Sequence, residues 1–237
     1  MGYAWSLLRP LLMFLILYFV FVDFLKVGKG IAHYPIYLLL GMVIWNFFTE
    51  MTSQSLTSIV GRGSLIRKIR IPRWLIILSV SISAAINLFL NLIVVLVFLL
   101  FNHVPLGMSV LWLPLILLEV YLFALGISLF LSAGYVKFRD LSYIWDVIIQ
   151  AGFYVTPIIY PLSRIPIHSV QKLIMLNPMA QSVQEARYNV VGHSAATTSS
   201  VFGGGRDQFV PYLIVVIVFI GGVIYFRKRS RYFAEEI

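Results

Sequence analysis

Two acidic residues, Glu50 and Glu119, lie inside apolar stretches that are long enough to cross a lipid bilayer. A carboxylate at mid-membrane costs about 2.5–3.5 kcal/mol on insertion scales, so each should face a cavity, pair with a cation or be protonated. For Glu119, the alternatives are a protonated or hydrogen-bonded carboxyl between helices and a residue that conducts or couples transport. For Glu50, nearer to the end of its stretch, they are solvation at the membrane interface and a place on a pathway.

Two asparagines and several aromatic residues are further candidates for a transport path. Asn87 and Asn91 are four residues apart, so they share one face of a helix, where they either join helices by hydrogen bonds or line a polar pathway. Aromatic residues make up 15% of the chain, and most are expected in the core and at the membrane interfaces. Because sugars stack on aromatic faces, Trp45, Phe153 and Tyr154 are also compatible with a carbohydrate path, which composition alone does not establish.

Signatures of enzymes are missing from the sequence. It contains no G-x-x-x-x-G-K-[ST] phosphate loop, no H-E-x-x-H zinc motif and no G-x-S-x-G nucleophile motif. The four histidines are widely separated, and the absence of cysteine excludes disulfides and thiol catalysis. We therefore predict no catalytic residue, no metal ligand and no cofactor in this chain.

The composition indicates an integral membrane protein. The 237 residues are 60% hydrophobic and only 11% charged, against about 25% charged residues in soluble domains. The mean hydropathy is +0.94. The net charge of +9 is clustered in short segments between apolar stretches, which is typical of charges that set membrane topology and not of a nucleic-acid partner. Little of the chain is left for a soluble catalytic domain.

The apolar stretches predict an all-α membrane protein with one domain, 1–237, and six transmembrane helices. We place the spans at 6–26, 34–57, 74–101, 108–134, 142–160 and 211–226. Twelve Lys and Arg residues fall on one side of this arrangement and six on the other, which predicts that both termini are cytoplasmic. The cytoplasmic membrane is the expected location.

Three segments between or at the ends of these spans are unusual. Residues 49–58 are polar but contain no turn residue, so this end of the second span should face protein or water and not lipid. The fifth apolar stretch runs into Thr156-Pro-Ile-Ile-Tyr-Pro161, which predicts a span with a broken outer end and short re-entrant helices after it. We expect the section 195–205, rich in small residues, to be flexible.

The cytoplasmic basic loop, 58–73, carries five basic residues and no acid. Membrane topology alone can explain these charges. However, residues 65–71 mix apolar and basic side chains as a short interfacial helix does, and Pro72 then sets a rigid corner before the next span. This pattern also favours a surface that docks a cytoplasmic partner.

Short motifs run in order along most of the chain. They are Gly2-Tyr-Ala-Trp-Ser with Arg9-Pro10, Gly41-x-x-x-Trp45-Asn-Phe-Phe48, Leu65-Ile-Arg-Lys-x-x-Ile-Pro-Arg73, Phe138-Arg-Asp140, Thr156-Pro-Ile-Ile-Tyr-Pro161 and Asn177-Pro-Met179. Together they resemble the membrane permease subunits of type 2 ABC exporters, in the branch that exports polysaccharide, O-antigen or teichoic acid. Members of that family usually carry an amphipathic helix before the first motif, so we expect either a longer N-terminus or a reduced partner contact here.

The resemblance implies a homodimer in membrane lipid, with each copy bound to a separate cytoplasmic ATPase that holds ATP and Mg²⁺. It assigns contact with that ATPase to Leu65, Ile66, Arg67, Lys68, Arg70, Pro72, Arg73, Arg139 and Asp140. It assigns an outer gate, within 156–190, to Pro157, Tyr160, Pro161, Asn177 and Pro178. The expected substrate is a lipid-linked glycan moved outward.

Two alternatives stay open from the residues alone. The same permease architecture could export a drug or another small amphiphile. A proton-coupled secondary carrier that uses Glu119 is an alternative of a different class, and it predicts transport by this chain without an ATPase.

Overall fold

A computed structural model describes residues 2–24, 33–63, 72–105, 107–193, 195–231 and 233. These residues form α-helices joined by short helical turns and loops, and they contain no strand. The α-helices are α1 (Gly2–Tyr18), α2 (Tyr34–Gly61), α3 (Trp74–Phe101), α4 (Leu113–Lys137), α5 (Leu141–Val155), α6 (His168–Met175), α7 (Pro178–Val190), α8 (Thr198–Phe202) and α9 (Val210–Arg229). The predicted all-α class is confirmed.

Four helical segments in the described part of the chain are long and apolar enough to cross a membrane. They are Tyr34–Gly61, Trp74–Phe101, Met108–Lys137 and Arg206–Arg229, the last two including a short 3₁₀ turn at their start. They coincide with the second, third, fourth and sixth predicted spans. The first and fifth predicted spans contain shorter apolar helices, Leu11–Phe21 and Leu141–Val155, so six crossings stay a prediction.

Three observed helix ends differ from the predicted ends of the spans, for identifiable reasons. Helix α2 continues past 57 to Gly61, because no residue before that glycine interrupts it. Helix α4 continues past 134 to Lys137, in what we predicted as a loop. Helix α5 ends at Val155 and not at 160, because a residue before proline disfavours the helical conformation, and Thr156 is extended with ψ 128°.

Helix α2 is the centre of the bundle. About 78% of its apolar core segment is buried, against 22% in α3 and in α9, whose outward faces are left to lipid. Part of its polar stretch, 49–58, faces protein: Thr52 and Ser55 are fully buried, whereas Gln54 and Thr57 are exposed. Thr52 Oγ1 donates to the Phe48 carbonyl at 2.7 Å and accepts from Trp145 Nε1 at 3.2 Å. These bonds satisfy the Thr52 hydroxyl, which lipid could not, whereas Ser55 Oγ is buried without a hydrogen-bond partner among the described residues.

Helices α4 and α9 pack backbone to backbone. A Cβ atom added at Gly126 would lie 2.8 Å from backbone atoms of Phe219, and one added at Gly222 would meet the backbone of Gly126. Small residues at a helix crossing allow this close approach, which is a common way of holding membrane helices together. The pair forms one wall of the bundle.

The bundle has two chemically distinct ends. At one end, here called the basic end, the last turns of α2, α4 and α9 and the first turn of α3 share a small apolar core of Ile59, Ile76, Val136 and Phe226. Arg62, Arg73, Arg139 and Arg227 lie at or just beyond this core. The opposite end, here called the α7 end, is formed by the start of α2, the break after α5 and the helices α6 to α8.

Residues 195–205, which we predicted to be flexible, contain the short helix α8. Thr197 and Ser200 form a reciprocal cap at the start of α8: Ser200 N donates to Thr197 Oγ1 at 3.3 Å, and Thr197 N donates to Ser200 Oγ at 2.9 Å. Gly203 then ends the helix in the left-handed conformation, with φ 69°. A small core containing Leu162, Met175 and Val201 attaches this section to α6.

Candidate functional site

A fully buried arginine lies at the centre of the α7 end. The Arg187 side chain has 0% exposure. Its Nε donates to the Tyr37 carbonyl at 2.9 Å, its Nη1 to the Pro157 carbonyl at 2.5 Å and its Nη2 to the Ile158 carbonyl at 2.6 Å. Burial lowers the pKa of Arg187, and the neighbouring Tyr37 and Tyr34 oppose that shift. One guanidinium thus joins α7, α2 and the break after α5.

Helix α2 is shaped to receive this guanidinium. Arg187 Cζ lies 3.6 Å from the centroid of the Tyr37 ring, close enough for a cation–π contact. Gly41, one turn further along α2, leaves the space that the guanidinium occupies: a Cβ atom there would overlap it and would lie 3.0 Å from Cζ. The glycine of the motif that begins at Gly41 therefore has a steric reason, which is access for Arg187.

Two tyrosines form further hydrogen bonds to carbonyls in and beside the break after α5. Tyr34 donates its hydroxyl proton to the Ile159 carbonyl. The Tyr160 hydroxyl lies 3.0 Å from the Tyr154 carbonyl and 3.2 Å from the Val155 carbonyl, at the C-terminus of α5, where carbonyls have no partner within the helix. The break is therefore an ordered, hydrogen-bonded turn.

The structure places the five predicted gate residues around this turn and the start of α7. Pro157 and Pro161 are buried within the break, and Tyr160 is partly buried. Asn177 caps α7 by accepting a hydrogen bond from Met179 N at 3.0 Å, and Pro178 is the first residue of that helix. Helix α7 is largely buried, with Ala180, Val183 and Ala186 at 0% exposure. Whether this end opens during transport stays a prediction.

The predicted path residues are divided among different pairs of helices. Trp45 of α2 packs against Phe153 of α5, with ring centroids 6.2 Å apart, and Gly152 lies under the same indole. Tyr154 is 68% exposed on the outer surface of α5. These three aromatic residues lie near the end of α5, and they belong to one part of the bundle.

The two asparagines lie between α2 and α3 with Glu50. Asn87 Nδ2 donates to Glu50 Oε1 at 2.5 Å, and Gln54 Nε2 donates to the same oxygen at 3.1 Å. Asn91 Nδ2 donates to the Asn87 carbonyl of its own helix at 2.8 Å. Glu119 is elsewhere, between α4 and α7, and accepts from Gln181 Nε2 at 3.4 Å. The structure therefore contains the interhelical hydrogen bond that was one of the two alternatives for Asn87.

A polar stripe on α5 escaped the sequence analysis. Tyr143, Asp146, Gln150 and Tyr154 are spaced three and four residues apart, so they share one face of the helix, and all four are exposed. A carboxylate and an amide on a membrane helix need protein or water beside them. The spacing of Asp146 and Gln150 within the fifth apolar stretch is the signal that could have found them.

The predicted ATPase contacts are only partly within the described residues. Leu65, Ile66, Arg67, Lys68 and Arg70 lie outside them. Pro72 is exposed, and Arg73 Cζ lies 5.8 Å from the centroid of the Phe233 ring. Arg139 and Asp140 form an exposed turn between α4 and α5. Arg73 and this turn both lie at the basic end, so the fold brings two sequence-distant candidates to one side of the bundle.

Among the described residues, no group of three or more His, Cys, Asp and Glu side chains is placed to hold a metal ion.

Comparison with known proteins shows the family to which the chain belongs. The family model described as ABC-2 type transporter matches residues 1–191. The chain belongs to the ABC-2 type transporter family. The resemblance inferred from the short motifs is confirmed.

Relatives match this ABC-2 chain over nearly its whole length. An "O-antigen export system permease protein RfbA" of Klebsiella pneumoniae is 29% identical over 240 residues, covering 99% of this chain and 87% of the relative. A protein of the same name from Myxococcus xanthus is 30% identical over 239 residues, covering 100% of this chain and 88% of the relative. The chain is therefore a membrane permease of the ABC-2 type, a transport component with several apolar helices.

Arg187 is a residue of this permease whose structural role the sequence analysis missed. It entered the charge count as one of six basic residues on the outer side. A signal was present, because Val183 and Val190, four residues before and three after it, place it on the apolar face of a helix capped by Asn177. A cation on the apolar face of a helix is stable only when it is buried together with hydrogen-bond acceptors, and Arg187 has such acceptors.

Proposed function

We propose that this chain is the permease subunit of an exporter that moves a lipid-linked polysaccharide outward across the cytoplasmic membrane. The near full-length similarity to two proteins named O-antigen export system permease carries this proposal. In this proposal, ATP is hydrolysed on a separate cytoplasmic ATPase, and two copies of the permease act as a homodimer.

The polar stripe of α5 supports a path for a glycan. Tyr143 and Tyr154 offer ring faces for sugars, and Asp146 and Gln150 offer hydrogen-bond groups to hydroxyls. The stripe leads along α5 to the break at 156–161, which Arg187 holds at the α7 end. A polysaccharide would pass along this face of α5, between the two copies, and leave beside the break.

The basic end supplies the surface for the ATPase in this proposal. Movement of the ATPase would be transmitted through the loop that contains Arg67, Lys68 and Arg70, and through the turn at Arg139 and Asp140. Helices α2, α3 and α4 share the apolar core at this end, so force on either segment reaches the centre of the bundle. Helix α2 continues from there to Tyr37 and Tyr34 at the α7 end.

The experiment is co-purification with an ATPase encoded beside this chain, followed by ATPase assays in lipid with and without lipid-linked glycan. We expect a stable complex of two permeases and two ATPases whose hydrolysis responds to the glycan. Stimulation by small amphiphiles with no response to glycan would replace this proposal with a drug exporter. Transport by the permease alone, driven by a pH gradient and lost in Glu119→Gln, would replace it with a secondary carrier.

Two sets of variants test the parts of the proposal. Replacing Arg67, Lys68 and Arg70 together by Glu should abolish export and leave membrane insertion intact. The matched control replaces Arg227, Lys228 and Arg229 by Glu, which changes the same charge at the same end outside the proposed contact. Normal export by the first triple variant would refute the coupling role.

For the path, Gln150→Trp should block export, whereas Ile224→Trp should not. Ile224 is 61% exposed on the lipid face of α9, so a larger side chain there meets only lipid. Equal export by the two variants would show that the α5 stripe does not line the path.

A further inference from the structure

A cavity of about 540 Å³ lies between α4, α7, α8 and α9, at the α7 end of the bundle. It is separate from both the α5 stripe and the Arg187 contacts. Glu185, Tyr188 and Asn189 of α7 line it, whereas Arg187 of the same helix points into the bundle toward α2. Its volume is in the range of sites for small molecules, which are about 300–1,000 Å³.

The polar part of the cavity is acidic. Glu119 and Glu185 both border it, and none of its described lining residues is Lys, Arg or His. Glu119 Oε1 is buried without a hydrogen-bond partner among the described residues, and Oε2 has only the 3.4 Å contact with Gln181. A buried acceptor without a partner is rare in native proteins and calls for a donor. Glu185 Oε1 already accepts hydrogen bonds from Thr198 N at 3.0 Å and Thr198 Oγ1 at 2.6 Å, so the acceptor without a partner belongs to Glu119, and Glu185 adds a second negative charge. The two acidic residues together favour a ligand that carries both positive charge and N–H groups.

The rest of the cavity wall is apolar and open to lipid. Leu115 and Leu118 of α4 are 56% and 51% exposed, and Val216 of α9 is 50% exposed. All three line the cavity. Both helices are apolar membrane segments, so a hydrocarbon chain can lie along this wall without leaving the bilayer. The ligand therefore has an apolar part that continues outside the cavity.

Aromatic residues define the depth of the site. Trp112, Tyr188 and Tyr212 line the cavity, near the N-terminal ends of α4 and α9. Trp and Tyr are enriched where lipid headgroups meet the hydrocarbon layer. A ligand in this cavity would thus have its polar group at headgroup depth and its apolar part in the membrane, which is the geometry of a membrane lipid.

We propose that this cavity is a binding site for a phospholipid whose headgroup ends in a primary ammonium. The ammonium brings three N–H donors to Glu119 and Glu185, and charge-assisted hydrogen bonds of this kind are the strong ones. A trimethylated ammonium has the same charge but no N–H donor, and an anionic headgroup is repelled by both carboxylates. The site therefore selects among lipids by headgroup, at a position that the exported glycan does not use.

The test is native mass spectrometry of the purified permease, without ATPase or glycan, titrated with dioleoyl phosphatidylethanolamine, phosphatidylcholine and phosphatidylglycerol. The permease should retain phosphatidylethanolamine about tenfold more tightly than the other two, a difference of about 1.4 kcal/mol. Glu119→Gln, which removes the charge and keeps the shape, should abolish the preference. Equal retention of the three lipids, or an unchanged preference in Glu119→Gln, would overturn the proposal.

A steric pair of variants gives a second test. Val216→Trp fills the cavity mouth, whereas Ile217→Trp adds the same side chain at the next residue, which is 60% exposed and does not line the cavity. We expect phosphatidylethanolamine to be lost from the first variant and retained by the second. If both variants keep it, or both lose it, the lipid binds elsewhere. Because no glycan is present, failure here leaves the proposed transport function unaffected.

Discussion

Charged side chains on the two sides of α7 have opposite surroundings. On the face toward α2, the Arg187 guanidinium is surrounded by three backbone carbonyls and an aromatic ring and has no exposed surface. On the face toward α4, Glu119 and Glu185 border a cavity, and one oxygen of Glu119 has no partner among the described residues. The guanidinium of Arg187 has acceptors on its side of α7, whereas one carboxylate oxygen of Glu119 on the other side has no donor in the part of the chain that the structure describes.

The difference follows from what a helical bundle has to offer. Within a helix, the backbone N–H groups are used in hydrogen bonds to carbonyls of the same helix. Each carbonyl, however, has a second lone pair, and the carbonyls at helix ends and breaks have no partner within the helix. A buried arginine therefore finds acceptors such as the carbonyls of Pro157 and Ile158. A buried carboxylate finds few donors, so it needs a side chain such as Gln181 or a ligand. We therefore read the Arg187 face as structural and the Glu119 face as a binding face.

The largest expected effect is the loss of Arg187. Arg187→Ala leaves three carbonyls without their charged donor, and hydrogen bonds to charged groups contribute about 1.5–3 kcal/mol each. Non-additivity reduces the sum, so we expect a loss of more than about 3 kcal/mol, or roughly 6–12 °C in melting temperature at 2–4 °C per kcal/mol. Thermal melting of the purified permease measures this. Arg206→Ala, at an exposed position, is the control and should melt like the unmodified chain.

The next effect tests the space at Gly41. Gly41→Ala adds a methyl group where the Arg187 guanidinium lies, and overpacking of this kind costs about 1–3 kcal/mol. Gly61→Ala is the matched control on the same helix, because a Cβ atom there meets nothing within 4 Å. Since alanine favours a helix over glycine, that control should lose no stability. Two variants with the same melting temperature would mean that the contact with Gly41 is not tight.

A smaller effect is expected from Tyr34→Phe. It removes only the hydroxyl that donates to the Ile159 carbonyl, a neutral hydrogen bond of about 0.5–1.5 kcal/mol. Limited proteolysis near the break and thermal melting should both show a modest loss. Tyr143→Phe, at a residue that is 74% exposed, serves as the control. A loss as large as that of Arg187→Ala would show that Tyr34, and not the arginine, is the main tie to the break.

The smallest effect on stability is expected from Glu119→Gln. The amide keeps the shape of the carboxyl and removes a charge that is expensive to bury, so in detergent without lipid the melting temperature should stay within about 2 °C. Arg187→Gln, which also removes one charge from a buried side chain, should instead melt far lower. Similar losses in the two variants would contradict the distinction between the two faces of α7.

Much of the fold was predictable because a bilayer restricts what a sequence can do. Long apolar stretches, with Pro157 and Pro161 at the break, predicted helical spans near those observed. The polar stretch 49–58 was predicted to face protein or water, and Thr52 and Ser55 within it are buried against protein. The observed helices end a few residues away from the predicted span ends at 57, 134 and 160, since helices continue until a breaker or a proline stops them.

The candidate site was less predictable. The motifs located Gly41, the break at 156–161 and the cap at Asn177, but they did not show that a single side chain joins all three regions. Asp146 and Gln150 went unnoticed inside an apolar stretch. Glu50, Asn87 and Glu119 were all path candidates by residue type, although the structure divides them between two pairs of helices.

By itself, the sequence determined the all-helical class, the membrane environment and the transporter family, because hydrophobic length, proline positions and short motifs are local properties. Only the tertiary structure decided which charged groups are buried with hydrogen-bond partners and which border a cavity. Arg187 contacts the Tyr37 carbonyl 150 positions away, and Glu119 meets Gln181 62 positions away. The energy of a buried charge depends on whether such distant partners reach it, and that depends on how the helices pack.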